Sequence, residues 1–440
     1  MTTRLTREGL IERLSSEFQG AAHRLVGLEC EFLGVLEESG RHAPYAGPRS
    51  VRSILDALAD DKGWNRIGDE PLRELERDGT RITLEPGSQI EMSGRPHARL
   101  SDVEAELRSF IADLVEVSSR FEIRWLPLGL QPDTDPEAVA ILAKPRYEIM
   151  ARYLPTVGRL APWMMRTSAG VQVNLDLEDA AEAARKLRLV LLLAPLITAI
   201  FANSPLSLGR ANRWASFRGR VWLETDPDRC GIPRSLITEG SGLADYVDWA
   251  LDAGMFFIER DGRLIDMTGR TFRRFMANGG HGTHALPADW DLHLTTLFPE
   301  ARLKQYLEVR CCDGSTPERA LAYAALATGI VYGSPESDAA LTALVDSLDA
   351  DAHQALHEQC LRQGLQADTP DGRPVAEICA EICAIAGSTL DALGKDDRRY
   401  LAPAEELIAA GKSPSVALLE RWEGEWAHSV PRMVQSLALG

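Results

Sequence analysis

The segment Gly27-Leu28-Glu29-Cys30-Glu31-Phe32 alternates apolar and acidic side chains. A period of two belongs to a pleated strand and puts Glu29 and Glu31 on one face, about 7 Å apart along it. Two such carboxylates repel unless a cation stands between them, so the strand is either a plain solvent-facing surface or one wall of an acidic site. Three further segments share the property. In residues 83–94, Glu85 and Glu91 flank a Pro86-Gly87 bend, with Gln89, Glu91 and Ser93 on one face. Residues 171–176 set Gln172, Asn174 and Asp176 opposite Val171, Val173 and Leu175. Residues 304–310 bring Glu308 and Arg310 side by side. The plain alternatives are a turn with exposed acids, a one-sided sheet facing water and a cross-strand ion pair.

Glutamate is a poor strand former, so four of them in strand-like surroundings need a reason. A hard cation such as Mg²⁺ takes carboxylate and phosphate oxygens, and this set suits one or more ions held against a nucleotide's phosphates. Strand amides such as Gln172 and Asn174 can read a zwitterionic amino acid by donating to its carboxylate and accepting from its ammonium. Between the third and fourth segments, residues 210–220 concentrate Arg210, Arg213, Arg218 and Arg220 in a chain that is acidic overall. Anion binding is one reading of them and a solvated loop the other.

The 440 residues, 45% hydrophobic and 26% charged, have the balance of a globular enzyme, which excludes disorder and collagen-like repetition. A net charge of −17 makes nucleic acid and anionic membrane poor partners. Seven cysteines without CxxC spacing fit neither a disulfide framework nor a zinc ribbon, and the N-terminus reads as an amphipathic helix with no export signal. The expected location is therefore the cytoplasm. Residues 189–202 fall short of a membrane span and read as a buried helix.

Helices are expected over 1–20, 50–62, 100–122 and 179–201, and strand signals over 25–35, 81–93, 171–176 and 303–310. A Gly/Pro/Arg-rich loop region runs to Ile232, and from Pro317 onward the pattern is helical with a break near 368–374. The class is α+β, an antiparallel or mixed sheet decorated by helices. Some signals fail. Gly411-Lys412-Ser413 lacks the P-loop glycine, since Glu406 stands at its position. His281 and His284 read as a surface loop, and Cys379 and Cys383 as core.

In order along the chain, these segments resemble the glutamate–cysteine ligase family, in the branch shared by plants and many bacteria. The carrying blocks are Val26-Gly-Leu-Glu-Cys-Glu31, Leu84-Glu-Pro-Gly-Ser-Gln-Ile-Glu-Met-Ser-Gly94, Tyr153-Leu-Pro-Thr-Val-Gly-Arg159, Met164-Met-Arg-Thr167, Val171-Gln-Val-Asn-Leu-Asp176 and Asp226-Pro-Asp-Arg229. The last is His293-Leu-Thr-Thr-Leu-Phe-Pro-Glu-Ala-Arg-Leu-Lys304, continuing into Tyr306-Leu-Glu-Val-Arg310. The resemblance implies a glutamine-synthetase-like fold, in which a curved antiparallel sheet forms a funnel flanked by helices. It implies a catalytic part over 1–316 and a helical C-terminal section over 317–440.

The implied activity is ATP-dependent formation of γ-glutamylcysteine through a γ-glutamyl phosphate, in glutathione or another thiol pathway. By the same resemblance Glu29, Glu31, Glu85, Glu91 and Glu308 match metal-binding carboxylates for Mg²⁺, and Arg218 and Arg310 the catalytic anion-holding arginines. Gln172, Asn174, Arg159, Thr167 and Arg220 fall to substrate binding. The implied partners are small molecules, namely L-glutamate, L-cysteine or another amine, and ATP, with the chain a monomer or homodimer. Cys30 and the Cys311-Cys312 pair depart from the family pattern. They keep open a γ-glutamyl–amine ligase with another acceptor, beside a non-catalytic binder of nucleotide or amino acid. Their simplest role is small packing residues.

Overall fold

The computed structural model describes residues 5–18, 23–68 and 70–440. Its centre is a nine-stranded sheet. From one edge the strands run Ala301–Leu303, Leu307–Asp313, Gly170–Leu175, Val26–Leu36, Ile90–Ser93, Thr80–Leu84, Leu75–Arg77 and Asn65–Arg66, each neighbour antiparallel. Ile123–Leu126 pairs the far half of Val26–Leu36. The four segments whose alternation the sequence announces supply six of these strands, because 81–93 is broken by a turn into Thr80–Leu84 and Ile90–Ser93, and 303–310 by a turn between Ala301–Leu303 and Leu307–Asp313. Asn65–Arg66, Leu75–Arg77 and Ile123–Leu126 are too short to show a period and are added by pairing alone.

One face of this sheet is apolar. Leu28, Cys30, Phe32, Val171, Val173, Leu175, Met92 and Val309 are all buried. Against it lies the helix Leu100–Ser119, whose Leu100, Val103, Leu107, Phe110, Leu114 and Val117 recur at spacings of three and four and form a buried stripe. The helices Ala180–Phe201 and Pro317–Val331 are buried along most of their length, as expected for residues 189–202. Among the described residues no helix is long and apolar enough to cross a membrane.

The first helix runs Arg7–Ser16, begun by Thr6, whose side chain accepts from Gly9 N. Of the expected helix over 1–20, residues 5–6 and 17–18 are not helical, and residues 1–4 and 19–20 lie outside the described residues. In the expected loop region before Ile232, Ser216 caps a helix, Phe217–Leu223, by accepting from Gly219 N at 3.0 Å. At the C-terminus, Pro414–Glu423 and Val430–Leu437 close a second apolar cluster around Leu33, Val35 and Leu126.

Candidate functional site

The other face of the sheet is polar, and register decides which polar groups meet there. Glu29 stands opposite Gln172 on one side and Ser93 on the other, and Glu31 opposite Glu91. Glu91 in turn faces Thr83, while Glu308 faces Asn174 and Arg302. Directly opposed residues of antiparallel strands project to the same side. Segments far apart in sequence thus deliver Glu29, Glu31, Glu91, Glu308, Gln172 and Asn174 to one surface.

Glu85 arrives just beyond the end of Thr80–Leu84, on a turn closed by the Ser88 N–H donating to its carbonyl at 2.8 Å. That turn is clamped from behind. A Cβ on Gly87 would lie 2.3 Å from the Arg166 carbonyl oxygen, so only glycine permits the approach.

Local hydrogen bonds fix the orientation of the acids. Asn174 Nδ2 donates to Glu29 at 2.8 Å, and Glu31 accepts from Gly170 N at 2.7 Å and from Gln172 Nε2 at 3.2 Å. Thr83 Oγ1 donates to Glu91. Burial, then the neighbouring Glu91 and Glu308, pushes the Glu29 carboxyl up to about 7. Burial with Glu85 and Glu91 pushes Glu31 up to about 8, and burial with Glu85 pushes Glu91 up to about 7. Glu85 is raised by burial too, against the pull of Arg146 and Lys144. Protons are thus held where negative charge is crowded, the condition a cation relieves.

Glu308 behaves differently. Burial would raise its carboxyl, but Arg302, Arg310 and Lys304 outweigh burial and hold it far below the usual range. Arg302 forks onto it at 2.5 and 3.0 Å. Arg310 Nη1 bridges Glu308 Oε2, 3.2 Å away, and the Gln172 carbonyl oxygen.

Arg218 lies on Phe217–Leu223 and is buried, with its guanidinium where a Gly170 side chain would stand, since a Cβ there would be 2.3 Å from Nη2. Its Nε is buried without a partner. Of the arginines in 210–220, Arg210 and Arg213 are exposed.

Three expected site residues do not join this surface. Arg159 and Arg220 both pair with Glu224, and Arg159 is 83% exposed. Thr167 turns its hydroxyl to the Trp163 carbonyl at 2.7 Å within its own helix. Arg302, Lys304, Arg146 and Lys144 are the charges that sequence reading missed. Arg302 lies on Ala301–Leu303 and meets Glu308 through antiparallel register across the 304–306 turn, so no spacing within one strand announces it.

Among the described residues no three His, Cys, Asp or Glu side chains are grouped so as to hold a metal ion. The donor chemistry nevertheless suits a hard divalent ion. Glu29, Glu31, Glu85 and Glu91 offer only oxygens, and Asn174 Oδ1 beside them is buried with no partner.

An antiparallel sheet with helices on its apolar face and acids, amides and arginines on the other is a glutamine-synthetase-like fold. Solved structures share this fold. A glutamate–cysteine ligase of Francisella tularensis in complex with AMP aligns with TM-score 0.58 at 13% identity, covering 95% of this chain and 89% of that one. A bifunctional glutathione synthetase of Pasteurella multocida aligns with TM-score 0.56 at 14% identity, covering 98% and 54%. The chain belongs to glutamate–cysteine ligase family 2, whose model matches residues 25–436. It is 35% identical to the chloroplastic glutamate–cysteine ligase of Arabidopsis thaliana over 99% of this chain and 83% of that protein. Against the chloroplastic glutamate–cysteine ligase B of Oryza sativa subsp. japonica it is 35% identical over 99% and 88%.

These relatives overturn the expected cytoplasmic location, because their names place them in the chloroplast. The seven cysteines are all free and buried, but free thiols mark any reducing compartment and do not distinguish one from another.

Proposed function

We propose that this chain joins the γ-carboxyl of L-glutamate to the amino group of L-cysteine with cleavage of ATP, through a γ-glutamyl phosphate. One observation carries the reading. Four crowded carboxyls with raised proton affinity lie on the same sheet face as Arg310 and close to Arg218. A carboxylate can approach a triphosphate only where fixed positive charge cancels their repulsion. Glu29, Glu31, Glu85 and Glu91 would hold Mg²⁺, which supplies that cancellation when bound. Arg310, pinned between Glu308 and Gln172, presents its remaining N–H groups to an anion without reorganising. Arg218 offers its unpartnered Nε to a second anionic group. Gln172 and Asn174 line the floor between them and orient the amino-acid substrate.

The division at 316/317 is proposed as functional, since every residue given a role in holding ATP, Mg²⁺ or glutamate precedes it, and the chain as a monomer or homodimer. Arg159, Thr167 and Arg220 are left without a role. The test is to incubate the protein with ATP, Mg²⁺ and L-glutamate, with and without L-cysteine, L-2-aminobutyrate, L-alanine and simple amines. Phosphate and dipeptide are then measured together. Cysteine-dependent γ-glutamylcysteine is the expected product. Preference for another amine would change the acceptor, and no product with any amine would leave a binder.

A further inference from the structure

Glu300 has no part in the assignments above, yet both arginines act on it and Arg310 is its backbone partner. Its backbone is fixed on both sides, its N–H donating to Gly231 O at 3.0 Å and its carbonyl accepting from Arg310 N at 2.9 Å. The residue is only 8% exposed. Among the described residues its one ion contact is His357 Nε2 at 3.9 Å, beyond hydrogen-bond reach, and that nitrogen is itself buried with no partner. Burial raises the Glu300 carboxyl, while Arg218 and Arg310 pull it down. Neither arginine lies close enough to pair with it, Arg310 being taken by Glu308 and Gln172 and Arg218 standing 3.9 Å from Asp313.

The same corner holds donors that lack acceptors. Arg218 Nε and Trp222 Nε1, one helical turn apart, are both buried and unpartnered. The Trp222 ring rests on Phe298, two residues before Glu300, with centroids 5.3 Å apart. Buried polar groups are normally satisfied, so a carboxylate short of donors beside donors short of acceptors is complementary to a small molecule of both signs. An α-amino acid is such a molecule.

The proposed reaction also leaves one need unmet. The acceptor arrives as an ammonium ion, whose nitrogen has no free electron pair, and it must lose a proton before it can attack the acyl carbon. We propose that Glu300 receives the ammonium group of the acceptor amino acid and takes its proton, with His357 as a positioning residue behind it. In that step an N–H bond breaks and an O–H bond forms on Glu300. The freed pair then makes the C–N bond as phosphate leaves with the electrons of the acyl C–O bond and takes up the second proton that the nitrogen sheds in becoming an amide.

The groups that face Glu300 permit this. Arg218 comes from Phe217–Leu223, Arg310 and Cys311 from Leu307–Asp313, His357 from Ala350–Gln363, Tyr323 from Pro317–Val331 and Cys230 from Cys230–Gly231. Burial keeps both thiols and the phenol protonated, and pushes His357 down to about 4, so it is uncharged at neutral pH. Among the described residues Arg218 and Arg310 are then the charges that bear on the carboxylate, and they offset part of the rise that burial gives it.

This assignment rests on the ligase reading, and the experiment separates the two. Glu300→Gln, Glu300→Asp and the unsubstituted protein are assayed with L-cysteine and, separately, with hydroxylamine, an amine largely uncharged at neutral pH that intercepts an acyl phosphate as a hydroxamate. For Glu300→Gln, kcat/KM for cysteine should fall about 10²-fold, with KM for ATP within about twofold and hydroxamate formation largely kept. The acid limb of the cysteine pH profile should vanish with it. Glu300→Asp, which keeps the charge, should recover part of the loss and serves also if the Gln protein does not fold. Equal losses with both amines, or no loss with cysteine, would overturn the assignment. If the unsubstituted protein makes neither product, the ligase reading fails and the assignment falls with it.

Discussion

Glu31 on the central strand stands directly opposite Glu91 on its antiparallel neighbour, so two carboxyls share one step of the sheet. Like charges in that position destabilise a strand pair by up to about 1 kcal/mol, and here burial adds to the repulsion. The arrangement opposes folding unless protons or a cation occupy it.

The pH dependence follows from the sign of the shifts. Glu29, Glu31 and Glu91 are raised from 4.5 to about 7, 8 and 7, so the folded chain holds protons that the unfolded chain has released. Their contribution to stability is complete below the unfolded value and is lost as pH rises through the folded one, at roughly 1.4 kcal/mol per pH unit for each proton held. His42, His293 and His357 are pushed down to about 4, 3 and 4 and act oppositely, but only below about 6.5. Between about pH 6.5 and 8.5 without divalent cations, Tm should therefore fall. Added Mg²⁺ should restore it, and more so at the upper pH. A Tm that rises across this range, or ignores Mg²⁺, contradicts the acidic cluster.

Glu31→Gln separates stability from turnover. The amide keeps the shape and can still accept from Gly170 N, and it removes one of the crowded charges. Thermal melts at pH 8 without metal should show Tm unchanged or higher, while ligase turnover falls by about 10² or more. Retained turnover would remove Glu31 from the site.

Arg310→Lys should be almost as harmful as Arg310→Ala. One ammonium cannot reproduce a planar fork that touches Glu308 and Gln172 while keeping N–H groups free. Steady-state kcat for the two variants decides this, and a fully active lysine enzyme refutes the planar requirement.

Gly170→Ala acts on Arg218 without touching it in sequence. The new methyl would stand 2.3 Å from Nη2, at the flexible end of the side chain, so the guanidinium moves and the sheet stays. At least a tenfold loss of kcat/KM is expected with a small change in Tm. A large drop in Tm would mean that the strand, and not the arginine, yields.

Cys311 and Cys312 are buried in the core, the first with its sulfur 3.8 Å from Tyr323 Oη. Changing them to Gly and Ala should cost about 1–3 kcal/mol of stability and leave the ranking of acceptor amines alone. A changed ranking with unchanged Tm would place them at the acceptor pocket instead.

What the sequence determined by itself is local. The alternation in 27–32, 83–94, 171–176 and 304–310 gives the strands in each segment one polar face, because side chains two apart in a strand must project together. Thus Glu29, Glu31, Glu91, Glu308, Gln172, Asn174 and Arg310 could be named before any contact was known. The ordered blocks joined them into one family pattern.

Tertiary structure decided everything that depends on register and on elements without a period. Pairing Glu31 with Glu91, and Glu308 with both Asn174 and Arg302, is a choice among strand alignments that no single segment contains. Arg159, Arg220 and Thr167 could not be separated from Arg218 by sequence, since all are polar residues in matching or neighbouring segments. Only folding sends two of them to Glu224 and one to Trp163. Glu300 is the clearest case. It stands between short strands with no pattern of its own, and it becomes a buried acid without a close donor only when Arg310, Gly231 and His357 close around it.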